Sequence, residues 1–437
     1  MVHRCGTTGE GRPLHNAAVD APNGCGGDGR AMVEGGGEGT EGVEGAEGMP
    51  TSRELRAARR ALAAVAARTP LLECEPLSRD ADAHVWLKLE NLQRTGSYKI
   101  RGAFTKISRL RPAVRARGVI TASAGNHAQG VAFAARRVRV PATVVMPVSA
   151  PVYKVASARE LGANVVLHGD TYEQAEAEAR RLEAARGYTF VHPFDDWDVI
   201  AGQASVTLEI LEDFPAGAGG PRRPRLIGVQ ARGADAAVRS FAARQPVAVP
   251  AARTIADGIR VTRPGARPLQ AILSRVDEMA AVGDEEIARA VVYLLERAKL
   301  LVEPAGAAGV AALLARAITC RSEDRVCVVL TGGNVDVNLV ARIIEHGLTR
   351  AGRYLVVRAR LDDRPGQLAA LLQPLSAMRV NIIDIEHHRA GWLLPVGQSD
   401  VVLHLEARDL HHARDIVAAL QRAGYAAEPL TPLEELV

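Results

Sequence analysis

One lysine stands out in a chain that otherwise favours arginine: Lys99, in the stretch RTGSYKIRGA (residues 94–103). Thr95, Gly96 and Ser97 read as a turn. With Ser97 as N-cap, Lys99 is the second residue of a helix, where first-turn N–H groups leave a partial positive charge. At about 100° per residue, Ala103, Ile107 and Leu110 fall on the Lys99 side, and Ile100 and Phe104 widen the apolar stripe. Dipole and desolvation both act against an ammonium ion, which predicts a lowered pKa and an amine able to close an imine with an aldehyde. Most helix lysines are simply solvated, so this reading depends on what else the fold brings close.

Two other segments carry groups that suit such chemistry. TASAGNHAQGVAFAARR (121–137) runs from a strand end through Ser-Ala-Gly-Asn-His into a helix, aiming backbone N–H groups at an anion such as a substrate carboxylate. An ordinary strand-to-helix turn with Asn126 as its cap accounts for the same pattern. VCVVLTGGNVD (326–336) ends a buried strand on Thr331, followed by glycines that allow close backbone approach. The Thr331 hydroxyl can meet a ring nitrogen, or it can bond to nearby backbone.

The elements that must position these residues follow from composition and pattern. At 437 residues with 47% hydrophobic content, the chain can bury a large core in two or three domains. Residues 1–50 are rich in Gly and Glu and nearly free of large apolar side chains, so they read as a disordered tail or an over-extended translation start. Order should begin where Thr51 or Ser52 caps a helix with Leu55, Leu62 and Val65 on one face. From there, β-branched runs (VWLKL, GVITA, ATVVMP, NVVLHG, TFVHP, RLIGVQ, VCVVLTGG) alternate with alanine-rich helical stretches, which predicts an α/β catalytic domain of parallel sheets over 51–348. Across 352–437 the order becomes strand, helix, strand, strand, helix, strand, a split βαβ arrangement. Pro374 falls inside its first helix and should kink it.

Several function classes are disfavoured. A net charge of +4 with interspersed acids and bases lacks the basic stripe that nucleic acid requires. Five cysteines without regular spacing fit reduced thiols and a cytoplasmic protein. No apolar run reaches membrane-spanning length, and no signal-peptide core is present. His387, His388, His404, His411 and His412 do not converge at ligand spacing, so no metal site is expected.

Taken together, ENLQRTGSYKIRGAF, SAGNHAQGVA, GDTYEQA, FVHPFDDWDVIAGQ, TIADGIRV, ERAKLLVEPAGAAG and LTGGNVD resemble the threonine dehydratase (threonine ammonia-lyase) family of fold-type II pyridoxal phosphate enzymes, over nearly everything from about residue 55 onward. The resemblance implies the two-subdomain, tryptophan synthase β-like fold and pyridoxal 5′-phosphate as cofactor. By that likeness Lys99 is the imine-forming lysine, Asn126 contacts the ring hydroxyl and Thr331 faces the pyridine nitrogen. Tyr98 lies against the ring, where relatives usually have Phe, and Glu303 and Gly258 line its edge and face. Ser123, Asn126 and His127 hold the substrate carboxylate. The implied reaction is β-elimination from L-threonine to 2-oxobutanoate and ammonia, with L-serine giving pyruvate. Ala124 stands where serine racemases carry a second serine, which disfavours racemisation.

One departure bears on activity. Between the helix matching ASVTLEILEDF and the strand matching RLIGVQ, relatives carry a further strand, a tetraglycine loop and a helix; here only PAGAGGPRRP stands, about residues 213–225. Gly217, Gly219 and Gly220 remain, yet Pro221 and Pro224 forbid a helix behind them. The expectation that follows is a weakened phosphate site, and the alternative reading is a catalytically impaired relative that keeps amino-acid binding.

RLDDRPGQLAALL followed by VNIIDIEHH resembles the ACT domain, a small ferredoxin-like regulatory fold that often binds amino acids between copies. Asp363, Pro365 and Gly366 form the turn before its helix, where N–H groups can take an effector carboxylate, and Asn381 is a second candidate. A homo-oligomer with an amino-acid effector is therefore one expectation, and a dimerisation module without ligand is the other.

Overall fold

The computed structural model describes residues 48–214, 223–389 and 395–430. Most of the expected N-terminal tail lies outside these residues, as do Gly217, Gly219, Gly220 and Pro221. The first helix, Ser52–Leu62, opens on a capping box: Thr51 accepts from the Glu54 N–H while the Glu54 carboxylate reaches back to Thr51. Leu62 and Val65 are buried as expected, whereas Leu55 is half-exposed.

Among the described residues nine strands precede the C-terminal module: β1 (Leu71–Glu73), β2 (His84–Lys88), β3 (Val119–Ala122), β4 (Ala142–Met146), β5 (Asn164–Leu167), β6 (Thr189–Phe190), β7 (Ile227–Ala231), β8 (Glu278–Val282) and β9 (Arg325–Val329). β5, β4, β3 and β6 form one parallel sheet in that order. β3 and β4 are buried at every position, the signature of a parallel strand covered on both faces. A second sheet, β1-β2-β9, pairs β2 with β9 in parallel and β1 antiparallel. β7 and β8 pair only with each other. Among the described residues, then, β7 and β9 each have one hydrogen-bonded neighbour, and the helix Pro304–Leu314 packs against both of them.

The Lys99 helix, Lys99–Arg109, is held by a buried cluster of four charges. The Arg101 guanidinium, fully buried, donates to both carboxylate oxygens of Glu90 at 2.7 and 2.8 Å and to Glu209 at 2.8 and 3.0 Å. Lys88 donates to Glu209 at 2.8 Å and to the Thr69 carbonyl. Two cations and two anions cancel, and nearly every donor is matched, the condition under which buried charges are tolerated. The cluster ties β2, the Lys99 helix and the helix Ser205–Asp213 together, through Arg101 two residues after Lys99.

The C-terminal module has the expected order: β10 (Tyr354–Asp362), the helix Gln367–Ala377, β11 (Asn381–His388), β12 (Gln398–Glu406), the helix Leu410–Arg422 and β13 (Ala426–Pro429). Its antiparallel sheet runs β11-β12-β10-β13. Leu355, Val357, Ala359 and Leu361 alternate inward along β10, meeting Leu371, Leu375, Ile416 and Leu420 from the helices. The first helix continues past Pro374 to Ala377.

Candidate active site

The turn before Lys99 is shaped differently from the expectation. Tyr98 is the N-cap and Lys99 the first helical residue, and no side chain caps the helix. Ser97 instead forms a β-bridge with Gly332, the Tyr98 N–H donates to the Thr331 carbonyl at 3.1 Å, and the Gly333 N–H donates to the Gly96 carbonyl at 2.8 Å. Pairing with the 331–334 loop therefore takes the place of a cap. Gly96 has φ +68°, and a Cβ there would overlap the Asn334 side chain.

Lys99 Nζ donates to the Pro193 carbonyl at 2.9 Å and lies 5.3 Å from the centre of the Tyr98 ring. Both line a cavity of about 1750 Å³. Ser123, Asn126, His127, Gly258, Glu303 and Thr331 line the same cavity, so every catalytic, cofactor and substrate position taken from the sequence meets in one place. The β9 strand ends at Val329, two residues before Thr331.

Asn126 opens its helix but does not cap it; Gly125 is the N-cap, and the Asn126 side chain is spent elsewhere. Its Nδ2 donates to both Glu303 oxygens at 2.7 and 3.0 Å, and its Oδ1 accepts from Asn334 Nδ2 at 2.8 Å. Asn334 Nδ2 also donates to the Thr95 carbonyl at 2.7 Å. Asn334 stands within LTGGNVD, yet sequence reasoning passed over it because its partners are more than 200 residues away.

Glu303 is 4% exposed, and burial pushes its carboxyl up to about 7, against the opposing hydrogen bond from Asn126. Asp257 adds to the rise, while Lys154 and Lys99 oppose it. Gly258 and Gly332 are tight against this group. A Cβ on Gly258 would stand 2.9 Å from the Ala305 Cβ, and one on Gly332 would stand 2.5 Å from Glu303 Oε1 and 3.1 Å from Asn126 Nδ2.

His127 is 3% exposed, and burial, with the Lys99 charge, lowers its pKa to about 3. Its Nε2 lies 2.9 Å from the Val191 carbonyl, which only accepts, so the neutral ring carries its proton on Nε2. Nδ1 is then a lone pair without a partner among the described residues. Such a nitrogen cannot donate to a carboxylate, so any hold His127 has on one comes from its backbone N–H at the helix start. Lys154, also absent from the expected set, lines the cavity and pairs with Asp257 at 2.9 Å.

The expected effector residues spend their side chains locally. Arg389 pairs with Asp363 at 3.4 Å, and Asn381 donates to Glu406 at 3.0 Å. Gly366 takes φ +89° at the N-cap of its helix.

An amine, a buried carboxyl with its oriented amide and a close-packed glycine share one cavity in an α/β domain built on parallel strands, and a ferredoxin-like module follows that domain in the chain. The chain belongs to the family described as "Pyridoxal-phosphate dependent enzyme", which matches residues 62–332, and carries an ACT domain over 355–422. Its cofactor is pyridoxal phosphate. Among characterised proteins it is 44% identical to the L-threonine ammonia-lyase of Geobacter sulfurreducens over 383 residues, 83% of this chain and 95% of that one. It is 41% identical to the L-threonine ammonia-lyase of Thermotoga maritima over 384 residues, with the same coverage. The solved structure of processed threonine deaminase isoform 2 from Solanum lycopersicum superimposes with a TM-score of 0.62 at 31% identity, covering 68% of this chain and 89% of that one.

The cavity residues fit the reactive end of the cofactor: an amine for its aldehyde, an amide for its ring oxygen, glycines where a flat ring must approach. The wall built from residues 210–214 and 224–229 is different in character. Ile210, Leu211, Phe214, Leu226, Ile227 and Val229 line it, and Arg225 there is paired with Glu278.

Proposed function

We propose that this chain catalyses β-elimination from L-threonine, releasing 2-oxobutanoate and ammonia, and from L-serine, releasing pyruvate. The observation that carries this reading is the convergence of Lys99 Nζ with the Asn126–Glu303 pair, Gly258 and Thr331 in one cavity. When bound, the cofactor supplies an electron-withdrawing ring conjugated to the substrate's Cα. Lys99 would hold it through its amine and, once displaced by the substrate amine, would take the Cα proton on Nζ. The N–H groups of the 123–127 loop would orient the carboxylate. Asn126 would serve the ring oxygen, and Thr331 would offer the ring nitrogen a neutral hydroxyl rather than a carboxylate, which suits prompt elimination. Tyr98, Gly258 and Glu303 confine the ring. Ala124, which also lines the cavity, offers no proton to the opposite face and so disfavours racemisation.

A second reading is an impaired relative in which PAGAGGPRRP replaces a phosphate-holding loop. It is supported by the unpartnered edges of β7 and β9 among the described residues and by the apolar wall at 210–214 and 224–229. Saturating the purified protein with pyridoxal phosphate separates the two. The first reading expects an imine absorbance band that Lys99→Ala abolishes; absence of the band favours the second.

The same proposal takes 51–348 as the catalytic domain and 352–437 as a regulatory one, in a cytoplasmic homo-oligomer. Asp363, Gly366 and Asn381 are its candidate effector contacts. Calorimetric titration with isoleucine and valine tests the effector, and no heat from either refutes it.

A further inference from the structure

The cavity does not end at Lys99. Its lining also includes residues of β7 and β9, each of which has one hydrogen-bonded neighbour among the described residues. Ile227 and Val229 line one side of this extension and Val326 and Val328 the other, with Ala308 of the Pro304 helix between them. We infer that this extension accepts an uncharged, apolar 5′ substituent on the cofactor about as readily as the phosphate ester, so that the chain distinguishes weakly between pyridoxal phosphate and 5-deoxypyridoxal. The inference rests on the proposed function and concerns the ring substituent next to the cofactor's aldehyde.

A phosphate ester buried there needs donors, and among the described residues the cationic ones that line the cavity are already engaged, poorly placed or, like Arg321, exposed. Arg225 pairs with Glu278, and the Arg325 guanidinium lies 5.2 and 5.4 Å from the Trp86 and Phe214 ring centres. Both precede or open their strands, so a five-residue strand separates them from the Lys99 end, roughly 16 Å at about 3.3 Å per residue. At the Lys99 end, Lys154 is paired with Asp257. Arg260 and Arg263 are exposed at the mouth, where water weakens an ion pair. The N-terminus of the Pro304 helix carries the buried Glu303 carboxyl beside it, which disfavours a second anion when ionised. An apolar substituent, by contrast, meets apolar walls.

The test uses the full chain freed of cofactor, titrated separately with pyridoxal phosphate and with 5-deoxypyridoxal, which cannot mask its aldehyde as an internal hemiacetal. In each case the Lys99 amine condenses with the aldehyde; a carbon–nitrogen double bond forms and the carbonyl oxygen leaves as water. Absorbance reads the equilibrium, borohydride reduction with peptide mass analysis locates the adduct, and Lys99→Ala is the blank. The expected result is a pair of dissociation constants within about a hundredfold of each other. Several charge-assisted phosphate bonds, each contributing tenfold or more, would exceed that. A larger preference for pyridoxal phosphate overturns the inference and leaves the elimination reading standing. No Lys99 adduct with either aldehyde overturns both.

Discussion

Asn126 owes its orientation to Asn334. With its Oδ1 committed to the Asn334 amide and its Nδ2 to Glu303, the side chain has one defined flip, the one that turns N–H toward Glu303 and the carbonyl oxygen toward Asn334. Replacing Asn334 by Asp removes the donor and places an acceptor against an acceptor. Catalytic efficiency with L-threonine should fall by on the order of ten- to a hundredfold, the usual consequence of a misplaced reactive group. The imine band should shift as well, and an unchanged rate and spectrum would show that the orientation is immaterial. Glu303 gives a second test at this scale. Its folded pKa, about 7, lies above the ordinary value of 4.5, so the native state binds the extra proton between these limits and stability must fall as pH rises through them. By about 1.4 kcal/mol per pH unit the loss is roughly 3 kcal/mol. Glu303→Gln removes that slope. Urea midpoints of the cofactor-free proteins at pH 4.5 and 7.5 should diverge in favour of the variant at the higher pH, and parallel behaviour would contradict the shift. Lys99 and the residues that share its cavity could be picked out in the sequence because ordered motif blocks around them resemble one family; no residue type was specific by itself. Asn334 and the spent amide of Asn126 could not be picked out, since a hydrogen bond across 208 residues leaves no local mark.

The Lys99 helix depends on the charge cluster beneath it. Arg101→Met deletes the guanidinium that links Glu90 to Glu209, strands the buried Glu90 carboxylate without a cation and leaves Glu209 to Lys88, a change that costs about 3–5 kcal/mol. Thermal unfolding should move down by several degrees, and no change would mean that water already serves these carboxylates. Arg101→Lys should recover only part of the loss, because an ammonium ion cannot reproduce the forked contact to Glu90. At this scale the sequence was readable in its alternation: buried β-branched runs marked β2, β3, β4 and β9. The polar turn at 95–98 was misread, because a Ser preceding a helix looks like an N-cap unless a distant loop pairs with it first. Ser97 pairs with Gly332, and its hydroxyl, fully buried, has no partner among the described residues.

Across the whole molecule, two regions of unequal support face the active site. The β5-β4-β3-β6 sheet is continuous, while among the described residues β7 and β8 pair only with each other, and β7 residues line the cavity. Two-stranded pairs are marginal on their own, so hydrogen exchange of the β7 and β8 amides should proceed through openings of lower free energy than those of β3 and β4. Equal protection in the cofactor-free protein would argue that the edge of β7 is covered. Fold class and the C-terminal module could be read from element order alone; the division of the sheets could not, because strand neighbours are set by long-range packing. The central claim, that Lys99 removes the Cα proton in a β-elimination, is tested most directly by 2-oxobutanoate release from L-threonine at saturating cofactor. The account predicts steady turnover by the full chain and none by Lys99→Ala. Equal rates from the two proteins, or no product from either, would contradict it.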